Sequence, residues 1–96
     1  MKYTVQHGNM VLRFIHENGY PTAKLIGSLG NGKESYHDID ILIWIRGKKK
    51  KQACADILIN LLLPEKTEAQ DWGGVYYTNT IYGDVDIFFT DKDFDF

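Results

Sequence analysis

The sequence predicts an α+β domain, an α/β sandwich in which helices pack on one face of a small mixed sheet. Two segments, residues 4–18 and 48–63, carry apolar residues at helical spacing. Several short aliphatic runs between them and after them are bounded by glycine or proline, as strands commonly are. A chain of 96 residues has room for one hydrophobic core, so we treat residues 1–96 as a single domain.

The first half of the chain is predicted to hold one helix and two strands. The helix covers residues 4–18, and Gly8 weakens it. Pro21 marks a turn before a short strand at 23–26. The second strand, at 38–45, is nearly continuous in aliphatic residues after its first three positions, which is typical of a central strand covered by helices.

The second half is predicted to add a second helix and three antiparallel strands. The helix runs from 48 to about 63, and Pro64 ends it. Its predicted core-facing stripe consists of Cys54, Ile57, Leu58, Leu61 and Leu62. The strands are predicted at 68–72, 75–78 and 81–90, with turns at Gly73-Gly74 and Thr78-Asn79-Thr80. The last six residues, DKDFDF, fit a frayed end, a closing strand or a segment that docks on a partner.

Two aspartates begin the second strand. Asp38 and Asp40 share one face of it, because successive strand residues point to opposite faces. Two carboxylates about 7 Å apart at the backbone are costly to keep ionised beside a core unless a cation compensates. Oxygen ligands of this kind select a hard ion, so we expect Mg²⁺ or Mn²⁺ here.

Two further segments complement this pair. Gly27-Ser28 follows the first strand, where a glycine lets the backbone approach a phosphate and the serine offers a hydroxyl and an N–H. The last predicted strand carries Asp84 and Asp86 on one face. Each signal alone is weak, since Asp-x-Asp is common at strand ends and Gly-Ser is usually a turn. Together they predict a site for metal-bound phosphates.

The segment GSLGNGKESYHDIDILI resembles the active-site signature of the nucleotidyltransferase superfamily, most closely the palm of the polymerase beta-like (family X) DNA polymerases. The matching residues are Gly27, Ser28, Gly32, Lys33, Glu34, Ser35, Asp38 and Asp40. The later GDVDIFF is similar to the strand that carries the third catalytic carboxylate of that family, which falls on Asp86. The resemblance covers about a third of the chain and implies a palm-like fold.

The chain departs from the family pattern at two places. Family members usually carry two basic residues after the position of Leu29, where this chain has Gly30 and Asn31. Asp84 stands where an arginine is usual. These departures, and the lack of room for a thumb domain, weigh against an ordinary polymerase more than against metal or nucleotide binding.

Composition narrows the remaining classes. The net charge is −2, which argues against broad nonspecific DNA binding. Cys54 is the only cysteine, so neither an internal disulfide nor a cysteine zinc cluster can form, and we expect a cytoplasmic protein without membrane contact. The lysines at 48–51 fit a solvated helix start, with attraction of phosphate or nucleic acid as the second interpretation. His7 and His16 fit surface or helix-packing positions.

These observations favour a minimal, metal-dependent nucleotidyltransferase. In this hypothesis Asp38, Asp40 and Asp86 bind Mg²⁺ or Mn²⁺, and Gly27, Ser28 and Lys33 bind the phosphates of a nucleoside triphosphate. His37 either bonds a phosphate or a carboxylate or is a simple turn residue. The acceptor is a nucleic acid, a protein or a small molecule, and a protein partner or a second copy of the chain completes the pocket. The alternatives are a non-catalytic regulatory or antitoxin-like module that binds nucleotide and metal, and a structural cation site.

Overall fold

A computed structural model describes residues 3–34, 38–71 and 73–90. Its elements form an α+β fold with three helices and a five-stranded sheet, within the part of the chain described. In order they are α1 (Val5–Glu17), β1 (Lys24–Leu25), α2 (Gly27–Gly30), β2 (Ile39–Trp44), α3 (Lys48–Leu62), β3 (Lys66–Ala69), β4 (Val75–Thr80) and β5 (Gly83–Thr90).

The sheet is mixed, as the sequence predicts. Its strand order is β1-β2-β5-β4-β3. Strands β2 and β5 are parallel, and the other neighbouring pairs are antiparallel. Because β2 and β5 are parallel neighbours, the chain must cross over between them through α3, β3 and β4. The two central strands therefore begin at the same end of the sheet.

Alternation along β2 assigns the two faces of the sheet. Ile39, Ile41 and Ile43 are fully buried, whereas the residues between them are half-buried. The buried strand residues belong to one cluster with α1 side chains such as Val11 and α3 side chains such as Leu58. Both long helices therefore pack on one face, and Asp40 points to the other, as strand geometry requires.

Gly8 has a packing role that explains its place inside a helix. A Cβ on this residue would lie 2.9 Å from one methyl carbon of Leu25 and 3.2 Å from one of Leu29. The missing side chain lets α1 approach β1 and α2 closely. Glycine at this position lowers the helix propensity of α1, but it permits the close contact.

Helix α3 agrees with its predicted bounds but differs in one core position. Ile57 was predicted to face the core and is 41% exposed, whereas Ala55 is buried. The buried α3 residues are Cys54, Ala55, Leu58 and Leu62, a stripe spaced by three and four residues. Leu63 ends the helix in a left-handed conformation, with φ of 49°, and Pro64 follows.

The strand bounds of the second half need correction. β3 lies at Lys66–Ala69 rather than 68–72, and β5 begins at Gly83 rather than at 81. The predicted turn at Thr78-Asn79-Thr80 is wrong, because β4 continues to Thr80 and the turn falls on the next two residues. Asn79 instead adopts a φ of 50° at a break in the β4–β5 register, and its N–H donates to Asp84 Oδ1 at 2.9 Å. The break in register thus accommodates Asn79 within β4.

Among the helices described, none is both long and apolar enough to cross a lipid bilayer. The C-terminal residues 91–96, for which the sequence left three roles open, lie outside the described part of the chain.

Candidate metal and phosphate site

Three aspartates meet on the face of β2 and β5 opposite the two long helices. Asp40 on β2 and Asp86 on β5 are direct neighbours in the parallel register, and Asp38 precedes β2. One carboxylate oxygen from each of the three residues lies within 4.8 Å of the other two. The predicted cluster of acids is therefore assembled by the pairing of strands from distant parts of the sequence.

The cluster strongly disfavours a third negative charge. Burial, a hydrogen bond with Asp38 and the charges of Asp38, Asp40 and Asp84 together raise the pKa of Asp86 to about 8. Desolvation is the largest of these causes. Near neutral pH the metal-free cluster consequently retains a proton, and a divalent cation could take the place of that proton.

Asp84 is not part of the three-acid cluster, and its carboxylate contacts the β4 backbone. Its Oδ1 accepts the Asn79 N–H, and its own N–H donates to the Tyr3 hydroxyl at 3.0 Å. The Tyr3 ring lies directly against Gly83, where no side chain would fit. Asp84 therefore adds negative charge near Asp86, while its carboxylate accepts a hydrogen bond that links β5 to β4.

Gly27 brings the backbone against the Asp40 carboxylate. It has a φ of +66°, and a Cβ placed on it would lie 2.6 Å from Asp40 Oδ2. The preceding Ile26 N–H donates to the Asp40 carbonyl at 3.0 Å, which fixes the two segments together. Glycine is thus required here both by conformation and by space.

Ser28 and Lys33 lie on the same connection as Gly27, and both are exposed. Ser28 belongs to α2, a single helical turn, and Lys33 follows shortly after that turn. Leu29 is buried and anchors this turn, and the Lys33 N–H donates to the Ser28 carbonyl at 2.9 Å. His37, the remaining predicted phosphate-binding residue, lies outside the described residues.

Gly30 lies too close to the β1 backbone to carry a side chain. A Cβ on Gly30 would lie 2.7 Å from the backbone oxygen of Leu25, so no basic side chain fits at this position. Asn31, in contrast, is exposed and has a negative φ of −92°. Close packing of α2 on β1 therefore excludes a basic side chain at position 30 but not at position 31.

Tyr76 on β4 is a neighbour of the acids that sequence reasoning missed. It is the cross-strand partner of Asp86 on the side away from β2, and it is half-buried. Its neighbours Val75 and Tyr77 are buried, so alternation alone places Tyr76 on the face that carries the acids. The alternation around Tyr76 was visible in the sequence, but it could point to the acids only once the pairing of β4 with β5 was known.

No known protein family, curated protein or solved structure matches this chain. The chemistry of the site must therefore be argued from its own residues.

The donor set suits a hard divalent cation. Three carboxylates and no nitrogen or sulfur ligand form the cluster among the described residues, and Mg²⁺ and Mn²⁺ prefer oxygen ligands of this kind. The surface around the acids is not one of the two larger clefts, of about 440 and 450 Å³, which are lined by other residues.

Proposed function

We propose that this protein is a metal-dependent nucleotidyltransferase, which moves a nucleoside monophosphate from a nucleoside triphosphate to a hydroxyl acceptor. The observation that carries the proposal is the convergence of Asp38, Asp40 and Asp86 within 4.8 Å on two parallel neighbouring strands. Such a cluster is costly without a counter-charge, and phosphoryl transfer is chemistry in which carboxylate-bound metal and phosphate share one site.

Each residue has a distinct role in this proposal. Asp38, Asp40 and Asp86 would hold Mg²⁺ or Mn²⁺, and Asp86 would also accept the proton of the attacking hydroxyl. The bound metal would stabilise negative charge on the attacking and leaving oxygens. Ser28 and Lys33 would bind the β and γ phosphates, and pyrophosphate would leave as the new phosphoester bond forms.

The acceptor and the base-binding wall are not supplied by the acids themselves. Gly27 approaches Asp40 from one side, and Tyr76 borders Asp86 on the other. A protein partner or a second copy of the chain would complete the nucleotide pocket. We therefore include a nucleic acid, a protein and a small molecule among the acceptors to be tested.

A second candidate function is a non-catalytic module that binds nucleotide and metal for regulation, or that acts as an antitoxin-like partner. The observation that favours it is the packing of Gly30 on the Leu25 carbonyl, which removes a phosphate-binding charge. In this case triphosphate and metal would bind together without turnover. A purely structural cation site would respond to metal alone and not to nucleotide.

The test is pyrophosphate release from each of the nucleoside triphosphates in Mg²⁺ or Mn²⁺, with and without a nucleic-acid primer and with candidate protein acceptors. Thermal unfolding in the same mixtures separates binding from turnover. Release supports the transferase, whereas joint stabilisation by metal and triphosphate without release supports the regulatory module.

Variants assign the response to the site. Asp40→Asn removes a charge from the face opposite the two long helices and should abolish the metal-dependent response while the fold remains. Asp56→Asn is the matched control, since Asp56 is an exposed α3 residue whose carboxylate accepts from Gln52. Ser28→Ala should weaken triphosphate more than monophosphate binding. An unchanged response in Asp40→Asn would show that the metal site lies elsewhere, and equal losses for Ser28→Ala would remove its phosphate role.

A further inference from the structure

A cleft of about 450 Å³ lies at the opposite end of β2 from the acids. It is formed where the connection after α1, the end of β2 and the first turns of α3 meet. The Thr22 hydroxyl donates to the Trp44 carbonyl at 3.0 Å, which ties the connection to the strand. The cleft is lined by Gly19, Tyr20, Pro21, Thr22, Trp44, Ile45, Arg46, Lys50 and Ala53. None of these residues is acidic.

Positive charge is concentrated beside this cleft. Arg46 and the lysines at 48–51 make up five of the eleven basic residues of the chain, and no acidic residue occurs between Asp40 and Asp56. Arg46 and the first three of these lysines are exposed. Among the described residues, basic side chains therefore cluster at this end of β2, although the net charge of the chain is −2.

Flat side chains accompany the charge. Tyr20 and Trp44 both line the cleft and are half-buried, so that they are held by their surroundings while part of each is accessible. The Arg46 guanidinium carbon lies 5.5 Å from the centre of a Trp44 ring, within the range of a cation–π contact. The cleft thus combines aromatic and guanidinium planes with cations that continue beyond it onto α3.

We propose that this cleft and the adjoining lysines bind single-stranded nucleic acid. Aromatic planes next to a basic track are the features that bind unpaired bases and the phosphates between them. A lone nucleotide would occupy the cleft but would leave most of the lysines without a phosphate. A duplex would offer phosphates but would keep its base faces stacked and out of reach of Tyr20 and Trp44. The inference does not depend on the proposed transferase activity, because the acids take no part in it.

The experiment measures binding of fluorescein-labelled single strands of RNA and of DNA, about twelve nucleotides long, by fluorescence anisotropy across a series of salt concentrations. EDTA is present and triphosphate is absent, so the acid cluster does not contribute. Arg46→Ala/Lys50→Ala should weaken binding. The plot of log affinity against log salt should become less steep by about 1.4, or about 0.7 for each lost phosphate contact. Arg13→Ala/Lys66→Ala removes two exposed cations outside the cleft and should leave that slope unchanged.

Base contact is tested separately from charge. Trp44→Leu should weaken the strand about 5- to 150-fold, the range for loss of one stacked base. Competition with the unaltered protein gives the same information without a substitution: inorganic polyphosphate of equal charge, duplex and polyglutamate should all compete less well than the unlabelled strand. Equal competition by polyphosphate or polyglutamate, equal binding of duplex, or equal competition by AMP would each overturn the proposal. So would an equal loss of salt slope in the control double variant.

Discussion

Replacement of Asp86 by asparagine should stabilise the metal-free protein at alkaline pH. The three carboxylates lie within 4.8 Å of one another, and at that separation each charged pair repels by about 3 kcal/mol with an effective dielectric constant near 20. All three residues are only half-buried, so solvent screening reduces the net effect to about 1–3 kcal/mol. Asparagine has nearly the same shape and can donate a hydrogen bond to Asp38, but it carries no charge.

The expected pH dependence has a defined sign. The pKa of Asp86 is raised from 3.8 to about 8 in the folded protein, so the folded state retains a proton that the unfolded chain loses. Stability of the metal-free protein therefore falls as the pH rises from about 4 to about 8. Asp86→Asn removes this group from the titration, and its advantage over the unaltered protein should be small at about pH 5 and full at about pH 9.

Urea unfolding followed by circular dichroism, in EDTA at about pH 5 and about pH 9, measures this difference. A gain of 1 kcal/mol corresponds to about 4–8 °C in the unfolding temperature of a domain of this size. Mg²⁺ should raise the stability of the unaltered protein more than that of Asp86→Asn, because only the former retains the three carboxylates. Asp56→Asn should show neither effect. The reasoning fails if Asp86→Asn gains no stability at the alkaline pH, or if it gains the same amount at both.

Three further predictions follow from the packing of the site and of the core. Gly27→Ala and Gly32→Ala should each lower the free energy of unfolding by about 1–2 kcal/mol, because both glycines have positive φ. Only Gly27→Ala should also abolish the Mg²⁺-dependent rise in unfolding temperature, because its Cβ would meet Asp40 whereas a Cβ on Gly32 would have no atom within 4 Å. Asn31→Arg should tighten triphosphate binding in Mg²⁺ about 2- to 5-fold in calorimetric titrations. Gly30→Arg should destabilise the fold by about 1–3 kcal/mol and should bind triphosphate no better than the unaltered protein. Similar triphosphate affinities for the two variants would contradict this distinction. The Cys54 thiol is buried and its pKa is raised to about 11, mainly by burial, so a disulfide reagent at about pH 8 should label it only as urea unfolds the protein. Rapid labelling without urea would show that this face of α3 is not packed against the core.

The elements with clear periodicity were predictable from the sequence. The α1 helix, the β2 strand and the α3 helix have one dominant hydrophobic pattern each, and their positions agree with the structure within two residues. The grouping of Asp38 and Asp40 on one face followed from strand alternation alone. These are features that depend on neighbours in sequence.

Features that depend on tertiary contacts could not be predicted in the same way. The α2 turn has too few residues for a periodic signal and is stabilised by the burial of Leu29. The Thr78-Asn79-Thr80 segment has the composition of a turn, but the Asp84 carboxylate binds the Asn79 N–H and keeps the segment in β4. Ile57 is as apolar as its buried neighbours, yet it is exposed, because the side of α3 that meets the core is set by tertiary packing.

The candidate site shows the same division. Its acids were predictable as candidate ligands because two carboxylates on one strand face repel each other unless a cation compensates their charge. Their mutual distance was not, because it depends on the parallel register of Asp40 with Asp86. The restriction at Gly30 was also inaccessible, since it arises from the Leu25 backbone and not from any side-chain pattern.

Because β2 pairs in parallel with β5, the three acids come together only when both strands have joined the sheet. Asp40 and Asp86 are nearly half the chain apart, and α3, β3 and β4 must be traversed before they meet. Neither half of the polypeptide alone contains all three acids, and closing so long a loop is a slow step. A cation that binds all three acids would join the two halves and retard their separation. A chain cut in the β3–β4 turn should therefore recover ion binding only when its two fragments reassociate, so the ion would report their assembly.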